Sequence, residues 1–263
     1  ALYRFDGDAN DSSTFLGGAF TGQSGVFNGS AIVLPNSVTS FTSKTISLWF
    51  KYDISQQTDS GNFTSIFQES ITNLNPFNGI QIWANYNNGQ LTVRTSVLNP
   101  VGIFTPNADQ WYHLCVTYDT TNGAIVYLDG SYTGTTIPDT TDLSAPIGVA
   151  LGSNFINPSQ YYNGQLDQVR IYPTALTAGQ VTSLYNEPLN NSTEGTKDFP
   201  VSAVALYQLD GNANDTGGTY NGAATSVTYG SPAERASTVY NGTPTDVTFE
   251  QGKYDLGAVF NGT

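Results

Sequence analysis

Cysteine is almost missing from this chain, and methionine is missing altogether. Among 263 residues there is one Cys, Cys115, and no Met. A single thiol rules out an intrachain disulfide and leaves the redox compartment open. With no Met at position 1 and no signal segment, the sequence reads as beginning at a processed or truncated end. Charge is scarce as well: 11% of residues, eight basic against 21 acidic, for a net charge of −13. So few cations argue against a nucleic-acid binder, which needs clustered Lys and Arg against phosphate. They argue equally against a polybasic membrane-surface protein. No apolar run nears the ~20 residues of a spanning helix, and stretches such as Ile46–Phe50 break off within a few residues. Disorder is disfavoured by 13% aromatic and 38% hydrophobic residues, enough to bury a core.

What is present is repetition. ALYRFDGDANDSS at 1–13 returns as ALYQLDGNANDTG at 205–217, with 8 of 13 positions identical. GVFNGS at 25–30 returns as AVFNGT at 258–263, so a unit is duplicated with its blocks in the same order. The second copy carries an insertion that is itself doubled: TYNGAATSVTY at 219–229 matches VYNGTPTDVTF at 239–249 at 6 of 11 positions. Residues 190–204, polar with Gly, Pro and both charge signs, read as a linker. The expected organisation is therefore a complete unit at 1–189 and a partial second repeat at 205–263 that holds only N-terminal strands.

Inside the first unit the segments 46–52, 79–86, 91–96, 111–118, 124–128 and 166–172 are rich in β-branched and aromatic residues, with Asn, Gly, Asp and Pro between them. Asn87-Asn88-Gly89 and Thr121-Asn122-Gly123 suit hairpin turns, because Asn and Gly tolerate positive φ. Strands at this spacing without intervening helices predict an all-β fold, an antiparallel β-sandwich. One helix is expected. Thr177 and Gln180 fit a capping box, and Val181, Leu184 and Tyr185 follow at helical spacing, predicting about three turns or fewer on the sandwich edge.

The order ALYRFDGDANDSS, GVFNGS, TISLWFKY, WYHLCVTYDTTNGAIVYLDGSYTG, IGVALGS, YNGQLDQVRIYPTALTAGQVTSLYNE resembles the laminin-G-like branch of the concanavalin A-like lectin/glucanase superfamily. The resemblance covers roughly 70% of the chain and resumes after Ala205. It implies a jelly-roll sandwich whose concave face or rim loops bind sugar, often beside a structural calcium. That fold also hosts adhesins, glycosidases and purely structural modules.

An enzyme reading finds little support. Glycoside hydrolysis needs two carboxylates facing each other across one sugar, and the five Glu (69, 187, 194, 234, 250) show no Glu-x-Asp-x-x-Glu pattern. Asp119 and Asp129 sit beside turn residues. The only histidine, His113, alternates with Cys115 and Thr117 within a strand, which reads as a packed, hydrogen-bonded core residue; Cys115 reads as a small buried hydrophobe. The expectation is that the chain is not an enzyme.

For metal, Asp6, Asp8 and Asp11 with Asn10 form a short acidic loop able to offer calcium side-chain and backbone oxygens. The resemblance adds Asp167, the acidic position of LDQVRIY, and a Ca2+ near the two ends of the sandwich. The alternative is an Asx-rich turn with solvated carboxylates. For sugar, strand 79–86 sets Ile80, Ile82 and Ala84 against Gln81, Trp83 and Asn85. If the aliphatic set faces the core, Gln81, Trp83 and Asn85 reach the open concave face, with Thr92 and Arg94 beside them. The alternative is Trp83 packed under a loop. Trp49 and Trp111 read as core, and Tyr161 and Tyr162 as a weaker loop candidate.

A half repeat leaves an apolar face and backbone groups unmatched, so it is expected to be covered by the first sandwich or by strand addition from another chain; the alternative is a small independent β structure on a longer polypeptide. The expected protein is a glycan-recognising or adhesive module in an extracellular or virion-surface assembly of its own copies or other structural subunits. The alternative is a structural subunit that packs against protein and binds no sugar.

Overall fold

The computed structural model describes residues 18–19, 23–52, 63–72, 78–85, 88–95, 100–154, 160–187, 199–230, 234–235, 247–251 and 256–260. In chain order its first strands are β1 (Gly18–Ala19), β2 (Ser24–Asn28), β3 (Ala31–Leu34), β4 (Lys44–Tyr52), β5 (Phe63–Ser70), β6 (Gln81–Asn85) and β7 (Leu91–Arg94). Next come β8 (Val101–Phe104), β9 (Trp111–Asp119), β10 (Gly123–Leu128), β11 (Ser131–Ile137), β12 (Gly148–Leu151) and β13 (Asn163–Tyr172). Helix α1 (Ala178–Tyr185) separates these from β14 (Ala205–Tyr207), β15 (Ala223–Thr225), β16 (Thr228–Gly230), β17 (Glu234–Arg235), β18 (Val247–Gln251) and β19 (Leu256–Phe260).

Two antiparallel sheets form the sandwich. One runs β11-β10-β9-β4-β13-β2-β16, with β14 also on β13; the other runs β15-β3-β12-β5-β6-β7-β8. Each strand is read at period two. In β4, Ile46, Leu48 and Phe50 enter the space between the sheets, where they meet Ile66, Phe67, Ile82, Leu91, Val93, Val149 and Leu151. The β9–β10 hairpin turns at Asp119, whose Oδ1 accepts the N–H groups of Thr121 and Asn122 at 2.8 and 2.7 Å. Gly123 closes that turn at φ 77°, and a Cβ there would lie 2.1 Å from the Ile137 carbonyl oxygen, so no other residue fits.

Helix α1 has the expected capping box. Gln180 N–H donates to Thr177 Oγ1 at 3.3 Å, and Thr177 N–H donates to Gln180 Oε1 at 2.9 Å. The helix lies across the outer face of the first sheet rather than only along its edge. Val181 and Leu184 join Cys115, Tyr127, Tyr172 and Leu176 in a second, smaller core, while Tyr185 stacks on Trp49 at 5.7 Å. Just past it, Glu187 takes Arg170 of β13 in a two-pronged ion pair at 2.8 and 3.1 Å, both side chains buried. A second buried pair joins Lys44 and Glu69 at 2.6 Å. Lys44 Nζ also donates to the carbonyls of Thr39 and Leu143, which satisfies an ammonium that has no water.

The start of the second copy is built into this sandwich. β14 pairs with β13, β15 adds to the edge of β3, and β16 adds to the edge of β2. Residues 199–204, the described part of the expected linker, lead in with Val204 N–H on the Ile171 carbonyl and Tyr172 O–H on that of Phe199. The chain divides into two compact units, 20–233 and 1–19 with 234–263. In the smaller unit β1 pairs with β17 and β18 with β19. Its second pairing repeats one from the larger unit: Thr228, Tyr229 and Gly230 of β16 face Val26, Gly25 and Ser24 of β2. Their sequence counterparts Thr248, Phe249 and Glu250 face Val259, Ala258 and Gly257 in the same register.

Candidate functional site

The strands β5, β6 and β7 build one polar face on the outside of the second sheet. Because Ile82, Ala84, Leu91 and Val93 fill the core, the alternate residues Gln81, Trp83, Thr92 and Arg94 turn outward. Pairing brings them together: Gln81 lies opposite Arg94, and Trp83 opposite Thr92. β5 adds Gln68 opposite Gln81 and Ser65 opposite Trp83. Asn85, the remaining expected sugar contact, ends β6 half-buried opposite Phe63.

Arg94 organises the face. Its Nη2 donates to Gln81 Oε1 at 2.7 Å, and its guanidinium carbon sits 5.5 Å from the Trp83 ring centre, within cation–π range. Burial lowers the Arg94 pKa, yet a guanidinium stays protonated in any protein setting. Phe63, 37% exposed, meets Trp83 edge-on at 5.6 Å. Trp83 itself is only 7% exposed. The ring is thus a support for Arg94 rather than the open stacking platform that the alternation suggested.

The bond to Arg94 fixes Gln81 with its oxygen toward the guanidinium and its amide nitrogen away. Among the described residues, Nε2 of Gln81 and Nε2 of Gln68, adjacent in register, have no hydrogen-bond partner although both are buried. Both nitrogens are closed to solvent, and a buried unsatisfied donor costs about 1–3 kcal/mol. Gln68 is the member of the face that sequence reasoning missed. In FTSIFQES it falls beyond a register shift between Ser65 and Phe67, so simple alternation does not place it. The loop candidates separate: Tyr162 is core, stacked on Tyr52 at 6.1 Å, whereas Tyr161 bridges to Ser65 at the edge of the polar face.

A second recess lies where β2, β4 and β13 meet. It is a cavity of about 190 Å³ bordered by Asn28, Lys51, Asp109, Asn163 and Gln165, below the ~300–1,000 Å³ usual for ligand sites. Sequence reasoning did not single out these residues.

Of the expected calcium ligands, Asp6, Asp8 and Asp11 lie outside the described residues. Asp167 is buried on β13, its Oδ1 accepting the Gln168 N–H at 2.7 Å. In the second copy Asp210 accepts the Gln23 N–H, and the Asp215 carboxylate accepts four backbone N–H groups, from Leu206, Gly217, Thr219 and Tyr220. Asp215 is therefore a loop organiser. Among the described residues no three His, Cys, Asp or Glu side chains gather as a metal site.

His113 is buried beside Trp49 and Tyr185. Its Nε2 is 2.9 Å from Ser47 Oγ, its ring is 5.3 Å from Trp49, and burial helped by the nearby Arg170 cation pushes its pKa down to about 3. Burial pushes the Cys115 thiol far up, which makes it inert. Two of the five Glu, 69 and 187, are held in the buried ion pairs.

The family model of the concanavalin A-like lectin/glucanases superfamily matches residues 9–182. Among solved structures, a Bacteroides ovatus protein of proposed carbohydrate-binding function is similar at 18% identity and a TM-score of 0.61, covering 81% of this chain and 61% of that one. The chain thus spans about three fifths of the Bacteroides protein. A heptameric, serum-amyloid-P-like pentraxin from Limulus polyphemus is similar at 18% identity and a TM-score of 0.58, covering 82% of this chain and 97% of that one. No curated protein matches the chain. At these identities the likeness to solved structures is one of fold.

Proposed function

The chain belongs to the concanavalin A-like lectin/glucanase superfamily, and on that premise we propose that it is a non-enzymatic, lectin-like module that binds glycan on the outer face of β5–β7. The observation that carries this reading is the half-buried Arg94 guanidinium held by Gln81 and the Trp83 ring, with the exposed Phe63 ring beside it on the same face. Sugar hydroxyls accept from a guanidinium, and sugar C–H groups pack on the face of an aromatic ring such as Phe63. Asn85 and Thr92 border the same face. The proposed setting is an extracellular or virion-surface assembly, supported by the duplicated unit and the Lys-poor composition. The calcium on Asp6, Asp8, Asp11 and Asp167 remains a proposal resting on the family resemblance.

A second reading is a structural subunit that packs this face against protein. The exposure of Phe63 favours it, because an aromatic ring left open on the isolated chain is what a packing surface offers a partner.

A glycan array probed with the full chain, with calcium and again with chelator, separates the two. The glycan reading expects binding to a defined sugar class that Arg94→Ala weakens at least roughly tenfold, about 1.4 kcal/mol. Silence across the array from the folded chain would instead support the structural subunit. Loss of binding with chelator would add weight to the metal.

A further inference from the structure

The recess on the first sheet lies where β2 and β4 stop and β13 begins. Phe27, Phe50, Tyr52, Tyr162 and Leu166 belong to the main core, so the alternate residues Val26, Asn28, Lys51, Asn163 and Gln165 turn to the outer face. Pairing sets Trp111 opposite Lys51, Lys51 opposite Gln165 and Gln165 opposite Val26. Two residues back along β13, Asn163 lies opposite Asn28. Asp109 joins them from the loop before β9, its N–H on the Tyr52 carbonyl at 3.4 Å. Lys51, Asp109, Asn28, Asn163 and Gln165 all border the one cavity.

Two opposite charges share this recess without neutralising each other. Among the described residues the ion pairs are Lys44 with Glu69 and Arg170 with Glu187, and neither Lys51 nor Asp109 takes part in one. Half-buried Lys51 rests over the Trp111 ring, 5.3 Å from its centre. Gln165 is oriented by Ser24, whose Oγ donates to Oε1 at 2.9 Å, so the oxygen is committed and the amide nitrogen is left to donate.

That set of groups selects among ligands. The volume of about 190 Å³ is room for about six waters at ~30 Å³ each, so the occupant is a single small molecule. A neutral sugar would strip water from both charges and return no opposite charge to either. A simple anion would meet Lys51 but also face Asp109 and a chain of net charge −13. A divalent cation would find one carboxylate, too few for a hard ion. A zwitterion answers both charges with charge-assisted hydrogen bonds and adds no net charge.

We propose that this recess is a binding site for a free α-amino acid. Lys51 and Gln165 take its carboxylate, Asp109 takes its ammonium, and Asn28 and Asn163 border its side chain. The site is on the sheet opposite β5–β7 and does not depend on glycan binding there.

The test titrates the full chain with each standard free amino acid, following the Trp111 indole NMR signal and, separately, heat by calorimetry. At least one amino acid is expected to move Trp111 saturably while Trp83 stays. Its N-acetyl and its amide derivatives, each lacking one charge, are expected to bind at least about tenfold more weakly. The same loss is expected from Lys51→Met and from Asp109→Asn, which change a half-buried and an exposed position. Asp109 stands at φ 59°, a conformation Asn also adopts, so that variant keeps the backbone. The capped derivatives test the same two charges in the unaltered chain. Silence of both readouts for every amino acid would overturn the proposal. Equal binding of acetate would make the recess an anion site, and equal binding of glucuronate an acidic-sugar site; either result overturns it too. So does amino-acid binding that Asp109→Asn leaves unchanged.

Discussion

His113 is the only histidine in the chain, so its titration is separable from every other group between pH 5 and 7.5. Its folded pKa of about 3 lies below the ordinary value near 6.5 because burial and the Arg170 cation both oppose a second charge. The unfolded chain takes up a proton below pH 6.5 while the folded chain does not, so stability is full above that pH and falls as pH drops toward 3. For one such group the loss between pH 7.5 and 5 is about 2 kcal/mol. Urea unfolding at those two pH values should show it in the wild type, and His113→Gln should flatten the slope; an unchanged slope would remove the assignment. At this scale the packed histidine, the buried thiol and the two core tryptophans were legible, since each sat on an apolar strand with no catalytic partner pattern. The Lys44–Glu69 and Arg170–Glu187 pairs were not. Each joins residues 25 and 17 apart in sequence, and nothing local marks a charge that will be buried by its partner.

At the scale of elements, α1 shows how far local chemistry reaches. The Thr177–Gln180 capping box set its start and the Val181–Leu184 spacing set its buried face, and both stand in the structure. Loss of an N-cap side chain costs about 1 kcal/mol. Thr177→Ala should therefore lower unfolding free energy by about that amount, while Thr177→Ser should retain most of it; equal losses from both would argue that the cap bond contributes nothing. The β6–β7 pairing was legible for the same reason, because alternation over 80–85 and 91–94 fixes which residues share a face. What alternation left out was the register shift in β5, which brings Gln68 into the row with Gln81 and Arg94. It also left out the packing of Arg94 on Trp83, which turns an expected platform into a supported cation.

For the whole molecule, the sandwich followed from strand spacing, while the fate of the second copy did not. Two blocks identical at 8 of 13 positions carry a similar strand pattern, and sequence alone did not say which one sits on β13; the structure places 205–207 there and adds β15 and β16 to the two sheet edges. The half repeat is thereby paired to the first sandwich at 205–207, 223–225 and 228–230. The central functional claim concerns the outer face of β5–β7, and the chain's three tryptophans make it directly readable. Each indole N–H gives one proton–nitrogen NMR signal, assignable by single Trp→Phe variants, and the full chain can be titrated with the strongest sugar from the array. The account predicts that the Trp83 signal moves with added sugar while those of Trp49 and Trp111 stay. Movement of Trp111, which lies under Lys51 at the border of the other cavity, with Trp83 unmoved, would contradict it.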